Sequence, residues 1–435
     1  MGWQILGMVA VITAIAVSIA LHEFGHLIPA KRFGVRVSDY AIGFGPALYA
    51  RRFGETSFAL RAIPVGGYIR MVGMYPPANR TSGTGALARL AEEARQESMS
   101  EVLPSDAGRT FYEQPIAKRT VIMLGGPVTN LLLAALMFGA ALVGVGLPAA
   151  TTTIDTVSPC MVSSTNPSGS ALANGKCSSR PSAAELAGLQ PGMTIVAVDG
   201  IAVSDWQSLD AALASAATKG AAGTVTVRTA AGARKAIPID FQILTLDRLD
   251  ASGVATGEKY QRAVMGVLLQ WRREHLPVSI VPRIMWSMTT ASARSLASFP
   301  EKIWVLARTL VSGGQRDPNG PVSVVGATRI GGEIAASTAD PLDKVVSLLM
   351  LIGSLNLFLF LFNLVPLMPL DGGQVAAAAW EAVRNGVRRL RGRSGRGPVD
   401  TARLLPLTYA MSALLIGVGA LVIWADIVKP ITLGG

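Results

Sequence analysis

Residues 5–28 read ILGMVAVITAIAVSIALHEFGHLI. A helix needs roughly 20 apolar residues to cross a bilayer core, so this stretch reads as a membrane span that carries His-Glu-x-x-His near its end. Three further stretches meet the same criterion: 121–145, 345–367 and 405–427. The composition agrees. The chain of 435 residues is 50% hydrophobic and 15% charged, with a mean hydropathy of +0.42, whereas a soluble domain carries nearer 25% charge. No Lys or Arg precedes the first span, and its Leu-His-Glu end offers no small-residue cleavage site. It therefore reads as a retained span and not as a signal peptide.

The net charge of +11 is distributed beside these spans. Lys31, Arg32 and Arg36 follow the first, and Lys118 and Arg119 precede the second. Arg384, Arg388, Arg389, Arg391, Arg393, Arg396 and Arg403 precede the fourth. Both loops are expected to be cytoplasmic, since Lys and Arg collect on that side. The N-terminus, the segment 148–344 and the C-terminus then lie outside. The arginine run has no interleaved aromatics and sits between spans, which argues against a nucleic-acid partner. The chain reads as a multi-pass protein of the plasma (inner) membrane, with lipids around it.

Between the spans, 37–71 alternates as short strands, with a turn signal at Gly54-Glu55 and a break at Gly66-Gly67. Residues 83–113 form a polar loop with a short helix expected at 86–96. Residues 151–244 read as a small α/β module and 279–311 as helical.

Two of only three histidines, His22, His26 and His275, fall in the His-Glu-x-x-His motif. Spacing i, i+4 puts both imidazoles on one helix face, within reach of one Zn²⁺, with Glu23 beside them as a general base. His22 precedes Lys31 by nine residues, about 13 Å of helix. Ionisable groups at that depth are costly and mark function or pairing. The plainer alternative is a helix end with interfacial histidines and a snorkelling glutamate.

A catalytic zinc site needs a third protein ligand and an open position for water. His275 lies in the outer segment. Asp371, in Leu370-Asp371-Gly372-Gly373, ends the third span thirteen residues before Arg384, at a matching depth. Alone it would read equally well as an Asp-Gly turn. Upstream, Asn356 and Asn363 share a helix face, and Pro366 and Pro369 should unwind the helix end. Broken helices at membrane depth line polar cavities, and such amides can hold a peptide backbone or bond across helices.

These residues resemble the site-2 protease family of intramembrane zinc metalloproteases, especially bacterial members that cut anti-sigma factors. The likeness runs through 22–26, 41–45 with 63–68, Gly125-Gly-Pro-Val-Thr-Asn130, and 363–373. It implies that His22, His26 and Asp371 hold Zn²⁺ and that Glu23 activates water. It implies also that 37–71 is a membrane-associated β-hairpin presenting substrate as an added strand. Gly66, Gly67, Gly126, Asn130, Asn356 and Asn363 fall at the family's helix-contact and substrate-handling positions. The outer segment resembles a single PDZ-like domain through 182–192 and 195–200. It departs from that pattern in Met193, where Asp is usual, and in an apparent insertion over 157–181.

The expected fold is thus a polytopic α-helical membrane protein of four transmembrane helices, with a membrane-associated β-hairpin region and an extracytoplasmic α/β PDZ-like domain. The expected divisions are 1–30, first span; 31–119, cytoplasmic loop with the hairpin; and 120–147, second span. They continue as 151–250, PDZ-like domain; 251–344, helical linker; 345–373, third span; 374–404, basic cytoplasmic loop; and 405–428, fourth span. The expected substrate is a single-span membrane protein, such as an anti-sigma factor after a first cut. The rival readings are a non-catalytic membrane PDZ scaffold and a transporter, though no internal repeat supports the latter. Cys160 and Cys177, seventeen positions apart on the expected outer side, should form a disulfide.

Overall fold

The computed structural model describes residues 1–77, 86–161, 170, 177, 180–249, 255–392 and 398–431. Residues 83–85 of the polar loop, most of the 157–181 insertion, and Arg393 and Arg396 of the arginine run lie outside the described residues. The chain divides into two compact units, Met1–Val145 with His275–Gly435, and Gly146–Glu274.

The first unit begins with α1 (Gly2–Arg32), followed by β1 (Val37–Phe53) and β2 (Thr56–Met71), α2 (Ala86–Ser100) and α3 (Ile116–Gly139). Helix α3 continues as a wider turn of helix over Ala140–Val145. Among the described residues, four helical stretches are long and apolar enough to cross a membrane: Gly2–Arg32, Ile116–Val145, Pro341–Asn363 and Thr401–Val428. On α1, side chains such as Leu6, Val9, Val17, Leu21 and Phe24 are exposed. Large apolar side chains in that position suit a lipid-facing surface, where no water needs to be displaced.

Helices α1 and α3 cross where glycine meets glycine. A Cβ on Gly125 would lie 2.0 Å from the Gly25 carbonyl oxygen, and one on Gly25 would lie 2.4 Å from the Gly125 oxygen. Without a hydrophobic drive between helices in lipid, such close backbone approach supplies the packing. At the C-terminal end of α1, Leu27, Ala30, Val35, Val37, Met71, Phe111, Ile122 and Met123 form a buried cluster joining α1, the strands and α3.

The strands meet at the Gly54-Glu55 turn, from Phe53↔Thr56 to Ala47↔Arg61. The start of β1 then lies between both ends of β2, pairing Asp39↔Ser57 to Ile42↔Leu60 on one side and Val37↔Met71 to Ile42↔Gly67 on the other. The pairing of β2 thus changes partner across 61–67, in the neighbourhood of the Gly66-Gly67 signal.

The second unit contains β3 (Leu147–Val157), α4 (Ala183–Leu186), β4 (Thr194–Val198), β5 (Ile201–Ala202), α5 (Trp206–Lys219), β6 (Ala222–Arg228), β7 (Arg234–Asp240), β8 (Gln242–Leu249), β9 (Ala255–Val264) and β10 (Val267–Glu274). Its main sheet runs β10-β3-β4-β6-β7, with β5 on β4, and β8 pairs with β9. Ile195, Val198, Leu209, Ala212, Val225 and Val227 are among its buried core. Cys160 and Cys177 are disulfide-bonded. This unit runs past the boundary expected at 250, so 255–274 is strand and not helical linker. The reason is non-local: β10 pairs with β3, more than a hundred residues earlier, and no local pattern announces that partner.

After it come α6 (Ile280–Ala297), α7 (Phe299–Ser312), α8 (Val324–Ala336), α9 (Pro341–Asn363), α10 (Asp371–Leu390) and α11 (Leu405–Val428). Helix α8, within the stretch expected as a helical linker, packs on the first turns of α1: a Cβ on Gly7 would lie 2.4 Å from the Gly331 oxygen. The third span also differs from expectation. It starts at Pro341 and stops at Asn363, and Asp371 opens the next helix instead of ending this one. Pro366 and Pro369 offer no N–H to continue the ladder. The stretch 374–404, expected as a loop, is helix as far as Leu390, because its Ala-rich start has strong helix propensity.

Candidate metal centre

The His-Glu-x-x-His turn of α1 faces α3 and the start of α10. His22 Nε2 lies 3.3 Å from Asp371 Oδ2, His26 Nε2 lies 3.3 Å from the same oxygen, and the two Nε2 atoms are 3.3 Å apart. A tetrahedral zinc with bonds of about 2.0 Å requires donors about 3.3 Å from one another. The three atoms form the corresponding triangle, and Asp371 Oδ2 is buried without a hydrogen-bond partner. Among the described residues this is the one group of three His, Cys, Asp or Glu side chains with that convergence.

One face of α3 shapes the site through residues 122, 126 and 130, spaced four apart. The Ile122 carbonyl lies 2.7 Å from His26 Nδ1. Gly126 leaves room for both rings: a Cβ there would lie 2.2 Å from His26 Nε2 and 2.7 Å from His22 Nε2. The Asn130 amide lies 3.1 Å from His22 Nδ1. The chemistry and spacing of these donors fit a zinc ion, and Gly126 leaves open the volume that such an ion and its two imidazoles need.

Asp371 is brought here by a tight reversal. After α9 ends, residues 364–370 turn back, with a cis peptide at Met368-Pro369. Cβ atoms on Gly372 and Gly373 would collide with backbone at Leu364 and Leu367, at 2.4 and 2.7 Å. The Asp-Gly-Gly sequence is therefore a steric requirement of the turn that presents the carboxylate.

On the opposite wall lies the last segment of β2. A Cβ on Gly67 would lie 2.9 Å from Glu23 Cγ, so the glycine lets the strand lie against the half-buried glutamate. Gly66 has φ +86 and packs on the Phe44 ring. Tyr40 ties the sheet to α1 by donating to the Ala20 carbonyl at 2.6 Å. Burial, then the nearby Glu23 carboxylate, push its phenol up to about 12, which keeps it a donor at any physiological pH. The cavity so enclosed measures about 300 Å³ and is lined by His22, Glu23, His26, Asp371 and the 67–69 segment, with Tyr75, Gln374, Thr401 and Thr408 among its other walls.

Of the residues singled out in the sequence, His22, Glu23, His26, Asp371 and Gly67 line this cavity, with Gly126 and Asn130 directly behind the imidazoles. Asn356 does not face it. Asn356 is buried and donates to Ser18 Oγ at 3.0 Å and to the Ile352 carbonyl at 2.9 Å. An amide in an apolar span gains from bonding to a neighbouring helix, so Asn356 sits at a helix contact, one of the roles the resemblance allowed at this position. Asn363 closes α9, half-buried, and is not among the residues that line the cavity. Gln374 was missed, although its position three residues after Asp371 puts it on the same helix face. Tyr75, Thr401 and Thr408 carried no local signal.

The sequence profile of peptidase family M50 matches residues 10–402. The chain belongs to peptidase family M50. The zinc metalloprotease Rip1 of Mycobacterium tuberculosis is 32% identical to it over 99% of both chains. Rip1 of Mycolicibacterium smegmatis is 32% identical over 98% of both. A probable chloroplastic membrane metalloprotease of Arabidopsis thaliana, ARASP2, is 27% identical over 88% of this chain and 73% of its own. This M50 chain is accordingly a zinc metalloprotease, and its four apolar helices make it a multi-pass membrane protein. A purely scaffolding role is thereby set aside.

Proposed function

We propose that this M50 peptidase hydrolyses peptide bonds within or near the transmembrane segment of single-span membrane proteins, with His22, His26 and Asp371 as its zinc ligands and Glu23 as its general base. The observation that carries the reading is the 3.3 Å triangle of donor atoms, set beside Glu23 on an apolar helix. Zinc, when bound, supplies Lewis acidity toward water and the scissile carbonyl. Glu23 takes a proton from the attacking water and delivers it to the leaving nitrogen. The 67–71 segment pairs with 37–42 along one side and lines the cavity. It orients an extended substrate as an added strand, since hydrolysis requires an unwound peptide.

In this reading the site lies near the cytoplasmic side of the inner membrane. The unit Gly146–Glu274 is a PDZ-like domain outside, in a compartment that keeps Cys160 and Cys177 oxidised. The substrate class includes anti-sigma factors already trimmed by a first protease.

The deciding experiment separates ligands from base. His22→Ala, His26→Ala and Asp371→Ala should each lose bound zinc and all cleavage, whereas Glu23→Gln should keep zinc and lose turnover. Full zinc occupancy and full turnover in Asp371→Ala would remove Asp371 from the ligand set. Trapping with Glu23→Gln in native cells then identifies which single-span proteins accumulate.

A further inference from the structure

The two imidazoles are held from behind by the same face of α3, but by chemically different partners. The Ile122 carbonyl can only accept, so His26 Nδ1 carries the hydrogen of their 2.7 Å bond. The His26 Nε2 lone pair is then free to face Asp371. His22 has no such unambiguous partner. Its Nδ1 faces the amide of Asn130, whose Nδ2 lies at 3.1 Å, and an amide nitrogen donates. With that arrangement His22 would carry its hydrogen on Nε2, pointing at the donor triangle, which is incompatible with ligating a cation.

A half-turn about Cβ–Cγ exchanges the amide oxygen and nitrogen at almost no steric cost. Asn130 is 1% exposed, and its Oδ1 makes no hydrogen bond, so the exchange breaks no bond at that oxygen. After it, Oδ1 accepts from His22 Nδ1–H. Both histidines then have the same tautomer, with both Nε2 lone pairs directed at the site. Building on the ligand assignment above, we infer that Asn130 is a positioning residue that acts as a hydrogen-bond acceptor for His22 Nδ1–H, locking the tautomer in which Nε2 can hold zinc.

Asn130 thereby acts through His22 and not on the substrate. An acceptor is what the position requires, so Asn130→Asp should preserve zinc binding, whereas Asn130→Leu, of similar shape and with no acceptor, should weaken it by about 10–100-fold. The measurement is zinc competition against a chelator on the full-length protein in detergent, with thermal unfolding recorded for each variant. If Asn130→Asp weakens zinc as much as Asn130→Leu, or if Asn130→Leu binds zinc like the parent, the inference is wrong. A spectroscopic readout does not depend on either variant folding. With only three histidines in the chain, ¹⁵N-histidine spectra of the zinc-loaded parent can be assigned by single substitutions. His22 should show a protonated Nδ1, and a bare Nδ1 on His22 overturns the proposal. Failure of the ligand reading looks different: His22→Ala would then leave zinc binding intact.

Discussion

Replacing Gly126 by alanine adds one methyl group at the point where α3 faces both imidazoles. Its Cβ would lie 2.2 Å from His26 Nε2, 2.6 Å from His22 Cε1 and 2.7 Å from His22 Nε2. Ordinary non-bonded contact begins near 3.5 Å, so His26 Nε2 must retreat by more than about 1 Å. Its other nitrogen is bonded to the Ile122 carbonyl at 2.7 Å, so the ring cannot retreat without breaking that bond or opening the donor triangle. Misplacement by about 1 Å costs about 100-fold in rate, and loss of a supporting hydrogen bond costs about 10–100-fold in metal affinity. Gly126→Ala should therefore lower zinc affinity and turnover by about 100-fold. Helix propensity works the other way, since alanine in a helix interior is favoured over glycine by about 1 kcal/mol. The protein should thus stay folded while losing its metal. Elemental analysis after dialysis against a chelator, together with thermal unfolding, reads both effects. Gly139→Ala on the same helix, where a Cβ meets nothing within 4 Å, is the control and should be silent. Parental zinc affinity in Gly126→Ala would falsify the steric account of the site.

Other outcomes follow from the same geometry. Gly125→Ala drives a methyl into the Gly25 carbonyl at 2.0 Å, backbone against backbone, and should destabilise the α1–α3 crossing by about 1–3 kcal/mol, read as a lower unfolding midpoint in detergent. Arg119 and Glu381 form a nearly buried ion pair at 2.6 Å between α3 and α10. Glu381→Leu alone should cost about 3–5 kcal/mol, and the double variant Arg119→Met/Glu381→Leu should regain most of it; equal losses in the two would contradict the pairing. A zinc chelator should abolish cleavage and added zinc restore it, with activity that persists at stoichiometric metal removal as the contrary result. Mass mapping of non-reduced peptides should recover Cys160 linked to Cys177 in protein from its native host, and labelling of either thiol from the cytoplasmic side would contradict the proposed topology.

The spans, the metal motif and the basic loops were legible in the sequence because each is a local signal. A hydrophobic run long enough to cross a bilayer needs no partner to be recognised. His22 and His26 share a face by helical spacing alone. Asp371 stood out as a carboxylate at matching depth beside a Gly-Gly pair. What tertiary structure decided was every relation between elements distant along the chain. That Gly25 meets Gly125 determines why Gly126, and not another small residue, sits behind the imidazoles. That Ser18 faces Asn356 determines that this asparagine bonds across helices, while Asn130, equally polar in an equally apolar helix, reaches a histidine. The strands β9 and β10 belong to the Gly146–Glu274 unit because β10 finds β3 across the intervening chain. Asp371 opens a new helix because two prolines end the old one, and only the folded turn shows the carboxylate delivered to within 3.3 Å of both imidazoles. Local periodicity encodes what a segment is; the choice of partner depends on side-chain volumes and backbone approach, which exist only once the segments have packed.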